Sequence, residues 1–134
     1  MSSTMSITMQ QISPTTTKAV IRTHEVLVDR TIAKEGTDLG PMGGEILLAA
    51  IGGCFMSTLL AAVRGRDAAI SDIRTEVVAT VDGTPTRVTA VELQVSADYA
   101  DRDLMEKLLI VAERGCLVAN SIRGAIDLSV RLVN

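Results

Sequence analysis

The sequence predicts an α+β protein in which an antiparallel sheet covers two helical segments. The first indication is a stretch of 18 uncharged residues between Glu45 and Arg64, rich in Leu, Ala, Ile and Met, which predicts a long apolar helix. The second is a pair of runs, joined by a turn, in which apolar and polar residues alternate as they do in strands. A length of 134 residues with 47% hydrophobic residues fits a single domain spanning residues 1–134.

The N-terminal part is predicted to contain short strands followed by a loop. Residues 17–23 and 24–28 are rich in Thr, Val and Ile, which is typical of strands. Residues 34–44 contain four glycines and one proline, which predict a loop. We expect residues 1–16 to form either a poorly ordered segment or an edge strand.

The uncharged stretch predicts a helix over residues 46–63 that is buried on nearly all sides. Its length reaches the lower limit for a membrane span, but its glycines and hydroxyl-bearing residues lower its hydrophobicity. It also lacks the aromatic belt and basic flank that mark a membrane interface. A single chain of this size has difficulty surrounding such a helix, so the sequence favours a homodimer over a membrane protein.

The C-terminal part is predicted to form a hairpin, a helix, a short helical turn and a last strand. The hairpin has strands over residues 73–81 and from Arg87 onward, with a turn at residues 82–85. Asp103 and Glu106 have the spacing of a capping box, and Gly115 interrupts the helix that follows. Another turn is predicted over residues 118–123. The expected inward-facing residues are Val91, Leu93, Val95 and Ala97 in the hairpin, Leu104, Leu108, Val111 and Ala112 in the helix, and Ile126, Leu128, Val130 and Leu132 in the last strand.

Composition argues against several classes of function. A net charge of −3 and an aromatic content of 1% argue against a nucleic-acid-binding protein. Two cysteines without a CxxC motif, together with one histidine, argue against a secreted disulfide scaffold or a zinc site, and no cofactor is expected. Residues 1–11 lack the features of a secretory signal, so we expect a cytoplasmic protein with free thiols.

The cysteines are the main candidates for chemistry. The single histidine, His24, lies in a strand-like run, where a solvent-facing or hydrogen-bonded side chain is the simpler interpretation. Cys54 and Cys116 each follow a glycine, which lets another group approach the backbone closely. They are either small apolar core residues or a pair that meets across a shared pocket and forms a reversible disulfide. The residue types alone leave both interpretations open.

Two motifs around these cysteines resemble a known family. Residues 40–54 read GPMGGEILLAAIGGC, which resembles the signature of the OsmC/Ohr family of osmotically inducible and organic hydroperoxide resistance proteins. A second, shorter C-x-V signature matches Cys116–Val118, 62 residues after Cys54. The resemblance covers residues 18–134. It implies an OsmC-like fold with central helices buried between antiparallel sheets in an intertwined homodimer, whose active sites lie at the subunit interface.

The resemblance also implies a thiol peroxidase that reduces small organic hydroperoxides. Cys54 would attack the peroxide, and Cys116 would resolve the resulting sulfenic acid as an intramolecular disulfide. A dithiol such as dihydrolipoamide would then reduce that disulfide. No metal, nucleic acid or membrane is expected to take part.

The residues that would activate the thiolate depart from the peroxidase pattern. In the peroxidase branch an Arg from an N-terminal strand or loop is held by a Glu ten positions before the reactive cysteine. Here Gly44 occupies that position and Glu45 lies nine before Cys54, an offset found in less characterised branches. Glu45 is therefore either a support for the Arg or a helix-start residue, and Arg22 and Arg30 are both candidates for the Arg.

Two other functions remain open at this stage. The same fold could hold a small apolar or thiol-bearing ligand without turnover. Alternatively, both cysteines could be inert core residues. A peroxidase loses both thiols to one equivalent of hydroperoxide, a binding module gains thermal stability from its ligand, and an inert core protein does neither.

Overall fold

The computed structural model describes residues 1–134 and has six strands and three α-helices, which confirms the predicted α+β class. In chain order they are β1 (Thr8–Gln11), β2 (Thr17–Ile21), β3 (His24–Val28), α1 (Gly43–Gly65), β4 (Ile70–Asp82), β5 (Arg87–Tyr99), α2 (Arg102–Gly115), α3 (Leu117–Ile122) and β6 (Asp127–Leu132), with a 3₁₀ turn at Ile32–Lys34. The chain divides into two compact units, Met1–Leu47 and Leu48–Asn134. The single-domain organisation inferred from length stays a prediction.

The first unit contains a three-stranded antiparallel sheet in the order β1-β2-β3. Strand β1 forms one edge and lies within the segment expected to be disordered or an edge strand. Strand β2 ends at Ile21, two residues before the predicted end, because Arg22 takes a left-handed conformation with φ of 56°. Arg22 and Thr23 therefore form the tight turn that leads into β3.

The loop after β3 is organised by a buried carboxylate. Asp29 is only 3% exposed, and its Oδ2 atom accepts hydrogen bonds from the Thr16 hydroxyl at 2.8 Å, the Thr37 hydroxyl at 2.5 Å and the Leu39 N–H at 3.2 Å. The loop also needs small residues, because a Cβ atom at Gly36 would lie 2.1 Å from the Arg30 carbonyl oxygen. The glycine-rich loop predicted from the sequence is thus tightly packed.

The second unit contains a three-stranded sheet in the order β4-β5-β6. Strands β4 and β5 form the predicted antiparallel hairpin, paired from Ile70 with Tyr99 to Asp82 with Arg87. The hairpin is longer than predicted, because β4 begins at Ile70, three residues before the predicted start at residue 73. Strand β6 runs parallel to β5, so the sheet is mixed where the sequence predicted an antiparallel one. The parallel pairing follows from helices α2 and α3, which carry the chain back across the sheet before β6 begins.

The core of this unit lies between one face of the sheet and the helices. Strand β5 buries its alternate residues as predicted, and α1 buries Gly52 together with a stripe of one apolar residue per turn. The buried hydrophobic residues of these three elements are Val91, Leu93, Val95 and Ala97 of β5, Ile51, Phe55, Leu59 and Val63 of α1, and Met105, Leu108, Leu109 and Ala112 of α2.

Helix α1 is longer and more exposed than predicted. It begins at Gly43, before the predicted start at residue 46, and ends at Gly65. Within one chain it is not buried on nearly all sides, because only 28% of its most apolar segment, with a mean hydropathy of 2.2, is buried. By length and composition such a helix could cross a membrane, but core helices of soluble proteins meet the same test.

Helix α2 differs from its prediction in its cap and in its buried face. Its N-cap is Asp101, whose carboxylate accepts the Leu104 N–H at 3.1 Å, so the predicted Asp103 capping box with Glu106 is wrong. Glu106 instead forms an ion pair with Arg102 at 3.3 Å. Two aspartates stand two positions apart, and the extended backbone at Asp101 determines which of them caps the helix.

The buried face of α2 is also rotated relative to the prediction. Met105 and Leu109 are buried where the prediction placed Leu104 and Val111, and Val111 is 45% exposed. The buried set at positions 105, 108, 109 and 112 still follows helical spacing. The predicted helical spacing of the buried residues is therefore correct, but the predicted buried face of α2 is wrong.

Candidate functional site

The two cysteines lie on different helical elements of the second unit. Cys54 is half-buried on α1, and Cys116 is fully buried between α2 and α3. The backbone of Cys116 is extended, with φ of −81° and ψ of 115°, so it ends α2 and starts α3. Its sulfur accepts a hydrogen bond from the Ala119 N–H at 3.4 Å, which makes the side chain the N-cap of α3.

Hydrogen-bond donors on the residues after Cys116 lower the pKa of Cys54 below its ordinary value of 9.0. Burial is the largest single influence on this thiol and opposes ionisation. It is outweighed by the combined donation of the Val118 N–H, the Cys116 thiol and the Leu117 N–H to the Cys54 sulfur. The start of α3 thus favours a thiolate at Cys54.

The pKa of Cys116 shifts in the opposite direction and is raised above 9.0. Burial is again the largest cause, and a negative charge on Cys54 raises this pKa further. The Ala119 N–H acts against both but does not outweigh them. The two thiols therefore act on each other, with the pKa of Cys54 lowered and that of Cys116 raised.

Glu45, Arg22 and Arg30 all belong to the first unit. Glu45 is exposed in the first turn of α1, and its Oε1 atom accepts the Met42 N–H at 2.9 Å, a helix-start interaction. Arg22 is exposed in the turn between β2 and β3. Arg30 is exposed after β3 and lines a cavity of about 400 Å³ together with Lys34. Support of Cys54 by any of these residues stays a prediction.

An apolar groove runs along α1 in the second unit. It encloses about 280 Å³, and neither cysteine lines it. The Thr75 hydroxyl donates to the Met56 sulfur at 3.1 Å, which leaves few free polar groups in its wall. The lining residues are Leu48, Ala49, Gly52, Gly53, Met56, Thr75 and Val77.

Two three-stranded sheets and three helices define a class of small α+β proteins, and comparison with known proteins shows the family within that class. A family model described as OsmC-like protein matches residues 36–131, so the chain belongs to the OsmC-like protein family. The match includes both cysteines and the whole of α1. The sequence-based resemblance to the OsmC/Ohr family is confirmed.

Solved structures of this family share the fold. A putative osmotic stress induced and detoxification response protein from Psychrobacter arcticus superposes with a TM-score of 0.84 at 18% identity, over 99% of this chain and 98% of that one. An organic hydroperoxide resistance protein OsmC from Legionella pneumophila gives 0.74 at 16% identity, over 98% and 100%. The organic hydroperoxide resistance protein OhrB of Bacillus subtilis gives 0.70 at 18%, over 96% of each chain. No curated protein matches the chain.

Several groups at the site had no sequence signal or only a weak one. The backbone N–H groups of Leu117 and Val118 act on Cys54, and every residue except proline carries such a group. Their position depends on the backbone bend at Cys116. Gly115 was the only hint, because a glycine before each cysteine indicates close approach.

Proposed function

We propose that this protein reduces organic hydroperoxides through Cys54 and Cys116. The proposal is carried by the position of Cys54 beside the start of α3, where the Val118 N–H, the Cys116 thiol and the Leu117 N–H lower its pKa against the effect of burial. A peroxide-reducing pair needs a thiolate for the first step and a neighbouring thiol for the second. Family membership supports the same reading, because related structures are named organic hydroperoxide resistance proteins.

The reaction proceeds in two steps at the cysteines. The Cys54 thiolate attacks the terminal peroxide oxygen and the O–O bond breaks, which yields a Cys54 sulfenic acid and, after proton uptake by the leaving oxygen, an alcohol. The Cys116 sulfur then attacks the sulfenic sulfur, its proton leaves with the hydroxyl as water, and a disulfide forms. Two thiols and one hydroperoxide become one disulfide, one alcohol and one water.

A small dithiol completes the cycle. Its first thiolate opens the Cys54–Cys116 disulfide as a mixed disulfide, and its second thiol displaces the protein thiolate to form a disulfide within the reductant. A molecule of the dihydrolipoamide type has two such thiols. A reducing compartment such as the cytoplasm would supply it, in agreement with two cysteines that are free.

The proposed assembly is a homodimer. Its support is the exposure of α1, which buries a single stripe in one chain although no charge occurs from residue 46 to residue 63. Leu60 on this helix is 42% exposed. A second copy would cover this apolar face, and the groove that includes Met56 lies on the same helix.

Intact mass and free-thiol counts before and after one equivalent of cumene hydroperoxide test the proposal. We expect rapid loss of two thiols and two hydrogens per chain. Cys54→Ser should abolish the reaction. Cys116→Ser should still consume about one equivalent and gain one oxygen atom at Cys54, because the sulfenic acid then has no internal partner.

Unchanged thiols in the parent protein would contradict the peroxidase. In that case a gain in unfolding temperature with apolar or thiol-bearing ligands would favour a binding module on the same fold. Rapid loss of the one remaining thiol, Cys116, in Cys54→Ser would show that the reaction does not start at Cys54.

A further inference from the structure

The helices that carry the two cysteines approach closely at one point. A Cβ atom built on Gly115 would lie 3.2 Å from the Thr58 Cγ2 atom, closer than ordinary van der Waals contact. Gly115 is the last residue of α2 and Thr58 lies on α1. A side chain at this position would therefore require the Thr58 methyl group or the helix backbones to move by a few tenths of an ångström.

This contact is adjacent to both cysteines in the chain. Gly115 directly precedes Cys116, so a shift of its backbone moves the Cys116 sulfur. Thr58 lies one helical turn after Cys54, and residues four apart share a face of a helix. Its hydroxyl donates to the Cys54 carbonyl oxygen at 3.0 Å, which holds the methyl group Cγ2 in a defined orientation toward Gly115.

We infer that Gly115 is a positioning residue, and that the absence of a side chain there, next to the Thr58 methyl group, sets how readily the Cys54 and Cys116 sulfurs close into a disulfide. The inference rests on the proposed chemistry of the two cysteines. It adds a residue that controls the second step, the formation of the disulfide. Disulfide geometry is specific, with Cβ atoms about 3.5–4.5 Å apart, so a displacement of a few tenths of an ångström changes the closure equilibrium. Gly115 does not have a positive φ, so its backbone conformation does not require glycine. The limited room for a side chain is the only reason for glycine at this position.

The test is the thiol–disulfide equilibrium of the purified protein in mixtures of reduced and oxidised dithiothreitol. We expect Gly115→Ala to lower the equilibrium constant for disulfide closure about tenfold, which corresponds to a potential about 30 mV less negative. Thr58→Ser removes Cγ2 and keeps the hydroxyl, so it should remain within about twofold of the parent protein. The double variant Gly115→Ala/Thr58→Ser should return to the parent value, because the added methyl then has space.

A matched control separates this effect from general disturbance of a helix end. Gly65 is the last residue of α1, and a Cβ atom there would have no neighbour within 4 Å. Gly65→Ala should therefore leave the closure equilibrium unchanged. Gly65→Ala should unfold at or above the parent temperature, since alanine is the better helix former.

An unchanged equilibrium in Gly115→Ala, or a loss that Thr58→Ser does not repair, would overturn the inference. A parent protein that closes the disulfide but consumes no hydroperoxide would contradict the peroxidase alone and would leave the positioning role in place. A parent protein that forms no disulfide in any dithiothreitol mixture would overturn both.

Discussion

Cys54 and Cys116 have identical side chains and opposite acid–base behaviour, and the backbone explains the difference. The Cys54 sulfur receives the N–H groups at the start of α3. Cys116 is the residue from which that helix begins. Burial and the neighbouring Cys54 raise its pKa, and they outweigh the Ala119 and Val118 N–H groups, which lower it. The direction of the proposed reaction follows from this asymmetry.

The pH dependence of alkylation should show the asymmetry directly. Because the pKa of Cys54 is lowered, its reaction with iodoacetamide should begin at a lower pH than that of Cys116. Cys116→Ala removes one donor and should move the Cys54 midpoint upward. Cys54→Ser removes the neighbouring charge and should move the Cys116 midpoint downward.

Mass spectrometry of peptides after timed alkylation from pH 5 to pH 10 measures both midpoints. Unfolded protein serves as the reference, since both thiols then have the same surroundings. Midpoints that coincide in the folded protein would contradict the assignment of the thiolate to Cys54.

Asp29 makes a second residue-scale prediction, concerning stability. The Thr37 hydroxyl bond is the main cause that holds the pKa of Asp29 far below its usual 3.8, aided by Thr16 and by the N–H groups of Leu39 and Arg30, against the effect of burial. A lowered folded pKa stabilises the protein above the unfolded pKa, and this stabilisation is lost as pH falls below about 4. Asp29→Asn should therefore lower the unfolding temperature at pH 7, by an amount that shrinks toward pH 3.

Thermal unfolding of the parent and of Asp29→Asn between pH 3 and pH 7 provides this comparison. Asp38→Asn is the matched control, because Asp38 is an exposed aspartate in the same loop. A difference between parent and Asp29→Asn that stays constant with pH would show that the negative charge is not the source of the stability.

At the scale of elements, helix α1 packs on strand β4 at one very close point. A Cβ atom at Gly52 would lie 2.7 Å from the Val77 Cγ2 atom. Val77 is β-branched and has little rotamer freedom to move aside. The glycine pair in the family motif is therefore required by packing at Gly52, whereas Gly53 is exposed and has no such neighbour.

Gly52→Ala should therefore destabilise the protein by about 1–3 kcal/mol through overpacking, in spite of the better helix propensity of alanine. Urea unfolding measures the change. Val77→Ala in the same chain should recover part of the loss, because it removes the atom that the new methyl meets. A Gly52→Ala variant as stable as the parent would indicate that β4 yields at this point.

At the scale of the whole molecule, the exposed face of α1 predicts self-association. Sedimentation should give twice the chain mass of 14.2 kDa. Leu60→Glu places a charge on the exposed apolar face and should shift the protein toward monomer, since an unpaired buried charge is costly. Leu60→Ala is the control and should stay dimeric. A folded parent monomer at micromolar concentration would contradict the assembly.

The sequence by itself determined the class of fold, most of the elements and the family. Strict alternation in β5 and the uncharged run of α1 are local patterns, and each reflects which side chains must leave water. The motif ending at Cys54 and the C-x-V at Cys116 were enough to indicate the family that the match over residues 36–131 confirms.

Only the tertiary structure decided how the elements meet, because those contacts join residues far apart in the chain. The parallel pairing of β6 with β5 and the approach of Gly115 to Thr58 are of this kind. The opposite pKa shifts of the cysteines depend on backbone N–H groups that no residue type encodes. A local pattern specifies which face of an element is buried, whereas chemistry at the cysteines depends on distances that packing alone sets.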